Sequence, residues 1–119
     1  MSPRVLIVDD QEDIRLMMQI LLEDQGWDTE QTSSGANALE RRDLHSRFDA
    51  LVVDYRMPGL DGLEVVRQLR GMGFERPIIL CSAYLNPEIE REARILGANT
   101  VSKSDQQQLL ETIRREVAA

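Results

Sequence analysis

Short apolar runs that end abruptly, each followed by a longer stripe of helical period, constrain this chain more than any other feature. Val5-Leu6-Ile7-Val8 stops at Asp9-Asp10, Phe48 to Val53 flows into Asp54, and Pro77-Ile78-Ile79-Leu80-Cys81 stops at Ser82. Between and after them, apolar residues recur three and four apart: Ile14, Met17, Met18, Leu21 and Leu22; Leu63, Val66 and Leu69; Ile89, Ala93 and Leu96; Leu109, Leu110, Ile113 and Val117. Continuous apolar runs of strand length suit strands buried on both faces, and such strands are parallel, joined by helical crossovers. A weak polar strand is expected over Trp27 to Thr32, as at a sheet edge, and a short last strand at Thr100-Val101. Five strands alternating with five helices predict an α/β fold, a doubly wound parallel five-stranded sheet covered on both faces.

Local signals punctuate that alternation. Gly26 ends the first helix, and Ser33 or Ser34 caps a second that runs through Leu39 and Leu44. Pro58-Gly59 and Asp61-Gly62 mark a loop, Asn86-Pro87 supplies a cap and a first-turn proline, and Ser104 with Gln107 resembles a capping box. Met17 and Met18 are both expected in the core.

At 119 residues the chain fits a single domain over 1–119. Its net charge of -7 and pI near 4.7 argue against nucleic acid or an anionic membrane as direct partners. Arg41, Arg42 and Arg47 read as a solvated helix face. The single cysteine, Cys81, excludes an internal disulfide and is expected as a small buried hydrophobe. The segment from Met1 into the first apolar run is neither a signal peptide nor a span, and a cytoplasmic location is expected.

In open parallel sheets ligands sit beyond the carboxyl ends of the strands, where the strand order reverses. In the flavodoxin-like order 2-1-3-4-5 that point lies between the first and third strands. Asp9, Asp10 and Asp54 end those two strands. Two carboxylates about 4 Å apart repel by about 4 kcal/mol at a near-surface dielectric. Three of them therefore require a proton or a cation. A few oxygen ligands with room for water suit Mg2+, with Mn2+ as the alternative, better than a Ca2+ cage. Lys103, the only lysine among fourteen basic residues, follows the last strand. An ammonium is a compact point charge that a narrow oxyanion pocket can distinguish from guanidinium. A flavin-phosphate cradle is disfavoured by the acids after the first strand. A dehalogenase-type phosphatase needs a second acid where Arg56 stands.

Taken in order, Asp9-Asp10, Asp54-Tyr55-Arg56-Met57-Pro58-Gly59 with Asp61-Gly62, Ser82-Ala83 and Lys103 make a specific set. The chain from Val5 to about Val117 resembles a response-regulator receiver domain, the CheY-like phosphoacceptor of two-component signalling. That resemblance implies that Asp54 is the nucleophile, taking a phosphoryl group from a phosphohistidine on a histidine kinase or phosphotransfer protein. It implies that Asp10 and Asp54 ligate Mg2+ with the backbone carbonyl of Arg56, that Asp9 acts largely through water, and that Ser82, the amide of Ala83 and Lys103 hold the phosphoryl oxygens. Arg56 and Tyr84 would flank the site and set water access, and His45 would be a helix-surface bystander. The protein would not be an enzyme beyond its own phosphorylation and dephosphorylation. Its output would reach an effector domain or a downstream protein, with homodimerisation through the fourth and fifth helices as a further option.

Two positions depart from the resemblance. Family members usually follow the lysine with proline, where this chain has Ser104, and carry Tyr or Phe three residues before it, where this chain has Thr100. The expectation is that phosphoryl chemistry survives while the output switch is altered. The competing expectation is an interaction module that does not cycle phosphate.

Overall fold

The computed structural model describes residues 2–118. Five strands, β1 (Arg4–Val8), β2 (Asp28–Thr32), β3 (Ala50–Asp54), β4 (Ile78–Ser82) and β5 (Asn99–Ser102), form one parallel sheet in the order β2-β1-β3-β4-β5. Six helices connect or follow them: α1 (Glu12–Glu23), α2 (Gly35–Leu39), α3 (Leu44–Arg47), α4 (Gly62–Gly71), α5 (Pro87–Ile95) and α6 (Gln106–Ala118). The expected α/β architecture and strand order are those observed.

The period-two alternation of the strands divides the core. Leu6, Val8, Leu51, Val53, Ile78 and Leu80 face one way and pack with Leu44, Leu63, Val66, Leu69, Phe74 and Ile89 from α3, α4, α5 and the loop after α4. Val5, Ile7, Val52, Ile79, Cys81 and Val101 face the other way, against Met18, Leu22, Leu109 and Ile113 of α1 and α6. β3 and β4 are buried throughout, whereas β2 is exposed or half-buried along its length, as its polar sequence requires of an edge.

Three expectations need correction. The helix expected through Leu39 and Leu44 breaks into α2 and α3. Arg41 pairs with Asp43 two residues on and with Glu30 of β2, which draws the chain off the helical path before Leu44 turns inward. Met17 is 37% exposed while Met18 is buried, because adjacent helix positions point about 100° apart. The cap of α6 is Asp105, whose Oδ1 accepts from the Gln108 amide at 3.0 Å; the Ser104 hydroxyl instead meets that of Ser102 at 2.9 Å. Trp27 precedes β2, buried, with the Arg114 guanidinium 5.9 Å from its ring centroid.

Two loop features bring α4 against the end of β3. Gly59 adopts φ +78°, a conformation that favours glycine. At Gly62 the first turn of α4 approaches so closely that a β-carbon would collide with the Asp54 carbonyl oxygen and with Leu80. The Gly62 amide donates to the Tyr55 carbonyl at 2.8 Å, and Asp61 caps the helix by accepting from Glu64 at 2.9 Å.

Candidate functional site

The carboxyl ends of β1, β3, β4 and β5 converge on one acidic depression. Asp54 is the last residue of β3; Asp9 and Asp10 follow β1; Ser82 ends β4; Lys103 follows β5, its amide donating to the Ser82 carbonyl at 3.0 Å. Asp9 (1% exposed) and Asp54 (4%) are buried, whereas Asp10 is exposed. One oxygen from each of these three carboxylates lies within 4.8 Å of the others.

Asp9 is held from three directions. Its amide donates to the Thr32 carbonyl at 3.2 Å, its Oδ1 accepts from the Gln11 amide at 2.9 Å, and its own carbonyl accepts from Arg15 Nη1 at 2.7 Å. Lys103 Nζ lies between the two buried acids, 2.9 Å from Asp54 Oδ1 and 3.0 Å from Asp9 Oδ2. The ammonium is thereby shared between two buried carboxylates, with a third close by.

The charge balance follows from that arithmetic. Burial raises the Asp54 pKa above the ordinary carboxylate range, with the Asp9 charge adding to it; Lys103 and a backbone hydrogen bond from Arg56 oppose the shift without cancelling it. Burial alone would lower the Lys103 pKa, but Asp54 and Asp9 outweigh it and hold the ammonium above its usual range. The Cys81 thiol is pushed up to about 12 by burial, so it is an inert core side chain.

The residues present fit a hard divalent cation. All three side-chain donors are oxygens, one ammonium is shared between the two buried carboxylates, and the nearest cationic partner of buried Asp9 Oδ2 is that same ammonium, 3.0 Å away.

A cleft of about 210 Å³ opens over the acids, lined by Asp10, Gln11, Asp54, Arg56, Ser82, Ala83, Tyr84 and Lys103. The structure therefore brings together every sequence-derived site residue except Thr100. The Ser82 Oγ accepts the Tyr84 amide at 3.0 Å, and the Arg56 guanidinium lies 5.6 Å from the Tyr84 ring centroid. Thr100 sits on β5, paired with Leu80, in a separate polar cleft of about 320 Å³ between α5 and α6. His45 is exposed on α3, remote in the fold, its Nε2 accepting the Glu75 amide at 3.3 Å. Two contributors escaped the sequence reading. Gln11 was visible only as a break in the acidic run, and Arg15 carries no signal beyond its place one turn into α1.

A parallel sheet of this order with paired acids, a hydroxyl and a lysine at its carboxyl edge defines a receiver, and the chain belongs to the response regulator receiver domain family, which matches residues 5–114. It is therefore a receiver domain of two-component signalling. It is 45% identical over 83 residues to the response regulator MprA of Mycobacterium tuberculosis, covering 70% of this chain and 36% of MprA. The chain thus spans about a third of the length of that relative. It is 31% identical over 100 residues to sporulation initiation phosphotransferase F of Bacillus subtilis, covering 84% of this chain and 80% of that protein. Among solved structures, the chemotaxis protein CheY4 of Vibrio cholerae superposes with a TM-score of 0.86 at 31% identity, over 98% of this chain and 99% of that one. Among the described residues no helix is long and apolar enough to cross a membrane.

Proposed function

We propose that the chain, as a single domain over 1–119, is a phosphoacceptor switch in which Asp54 takes a phosphoryl group from a phosphohistidine on a histidine kinase or phosphotransfer protein. A carboxylate oxygen of Asp54 attacks phosphorus, the P–N bond breaks as the P–O bond forms, and the departing imidazole nitrogen keeps the electron pair. The product is an acyl phosphate at the mouth of the cleft, and its hydrolysis resets the switch. The domain's substrate is its own side chain, so it turns over no other molecule.

Transfer of this kind depends on alignment and on neutralising the equatorial oxygens. Lys103, already 2.9 Å from Asp54 Oδ1, is placed to pair with a phosphoryl oxygen. The Ser82 oxygen accepts the Tyr84 amide, which leaves the hydroxyl proton free to donate to the phosphoryl group beside the Ala83 amide. Arg56 and Tyr84, close to one another on the cleft wall, govern how water approaches the acyl phosphate. Asp9, Asp10, Asp54 and the Arg56 carbonyl are the groups that would hold Mg2+ or Mn2+. Such an ion, when bound, supplies positive charge against the phosphoryl oxygens and relieves the repulsion among the carboxylates.

The observation that carries this reading is the single ammonium between two buried carboxylates at the reversal point of the sheet. Acetyl phosphate with Mg2+ tests it. Intact mass rises by one phosphoryl group in the wild type and stays unchanged in Asp54→Asn. An unchanged wild-type mass, under conditions that label a control receiver, favours the interaction module that Thr100 and Ser104 suggest.

A further inference from the structure

We infer that Arg15 is a positioning residue for the metal-binding acids, acting through the peptide that joins Asp9 to Asp10. This rests on the proposed metal site and goes beyond it, since Arg15 touches neither a carboxylate ligand nor the phosphoryl position. Arg15 stands one turn into α1, within six residues of Asp9, Asp10, Glu12 and Asp13. Yet the hydrogen bonds of its half-buried guanidinium go to neutral acceptors: Nη1 to the Asp9 carbonyl at 2.7 Å, and Nε to Gln31 Oε1 at 3.3 Å. Gln31 in turn donates to Gln19, so β2 and α1 together aim the guanidinium at that one carbonyl.

The placement matters because the two acids are held differently. Asp9 has its amide on the Thr32 carbonyl and its Oδ1 on the Gln11 amide. The exposed Asp10 side chain has no such hydrogen bonds among the described residues, so its direction is inherited from the backbone, and the Asp9 carbonyl fixes the plane of the intervening peptide. Releasing that carbonyl lets the peptide rotate and scatters the third ligand oxygen. Partners one contact removed from metal ligands commonly shift affinity by about 10-fold or more when removed.

Charge and position predict opposite signs here. If Arg15 were only a nearby cation, deleting it would tighten binding of a divalent ion, because one repulsion is lost. If it positions the acids, deletion weakens binding although a positive charge has gone. The experiment titrates Mn2+ alone into wild type, Arg15→Met, Arg15→Lys and Gln31→Leu, following free Mn2+ by electron paramagnetic resonance, with melting in chelator establishing that each is folded. We expect Arg15→Met to bind about 10-fold more weakly, Arg15→Lys to recover part of the loss, and Gln31→Leu to lose less because only the aim of the guanidinium is relaxed. Equal or tighter binding by folded Arg15→Met and Gln31→Leu overturns the inference while leaving the metal site intact. Absence of Mn2+ binding by the wild type overturns both. Should Arg15→Met not fold, Arg15→Lys and Gln31→Leu decide: wild-type affinity in both contradicts the positioning role.

Discussion

Two clefts, one at the carboxyl edge of the sheet and one along its β5 edge between α5 and α6, show how unevenly this receiver is built. The one over Asp54 is walled by acids, a hydroxyl and an ammonium that strand ends hold in place, and its buried members interact at about 3 Å. The one beside Thr100 is lined by Glu90, Arg94, Glu111 and Arg115, polar side chains of α5 and α6 with no aromatic ring among them. The first holds the groups that the proposed phosphoryl chemistry would use; the second lacks the bulky side chain through which the family resemblance would have the change at Ser82 travel outward. On the proposed function, chemistry and read-out would be separable, one being a matter of charge at strand ends and the other of side-chain volume between two helices.

The comparison breaks most readily at Lys103. In Lys103→Met the buried Asp9 and Asp54 lose their shared counter-ion. Removing one member of such a set costs about 3 kcal/mol at neutral pH, measurable as a lower denaturation midpoint in chelator. Labelling by acetyl phosphate falls about 100-fold in the same variant, since a preorganised charge on the developing oxyanion is gone. A variant as stable and as readily labelled as the wild type would mean that the ammonium is decoration.

A smaller effect lies in the pH dependence. Asp54 is held above its ordinary pKa, so the folded protein binds more protons than the unfolded chain in that interval, and stability falls as pH rises through it. Lys103 acts with the same sign at the alkaline end: its stabilisation is complete below the ordinary lysine range and is lost as pH climbs past its raised folded value. Melting in chelator, followed upward in pH from the ordinary carboxylate range, should show the first slope in the wild type and not in Asp54→Asn. A slope that persists in Asp54→Asn would place the titrating group elsewhere.

The smallest expected difference concerns Thr100. Adding beryllofluoride with Mg2+ should shift amide resonances strongly around Asp54, Ser82 and Lys103, and weakly in α5 and α6. Thr100→Tyr should enlarge the shifts in those two helices. Wild-type shifts in α5 and α6 equal to those of aromatic-bearing receivers would join the two clefts into one device.

The site was readable from sequence because its residues stand immediately after apolar runs, and a parallel sheet presents strand ends at one edge whatever the intervening helices do. Asp9, Asp10 and Asp54 needed only the strand order to be brought together, whereas the place of Ser82 in the site came from the resemblance to receiver domains. What escaped notice depends on partners distant in sequence. The break between α2 and α3 follows from Arg41 reaching Glu30, eleven residues back on β2, a competition that local propensity cannot show. Ser104 yields the cap to Asp105 because its hydroxyl is drawn to Ser102. The aim of Arg15 depends on Gln31, sixteen residues away across the α1–β2 turn.

The most direct test of the central claim is to locate the phosphoryl group. After acetyl phosphate treatment and borohydride reduction of the acyl phosphate, peptide mapping should find homoserine at position 54 when Mg2+ is present and almost none in chelator. Modification at any other residue, or equal modification of Asp54 without a divalent ion, would contradict a metal-dependent aspartyl acceptor at this edge of the sheet.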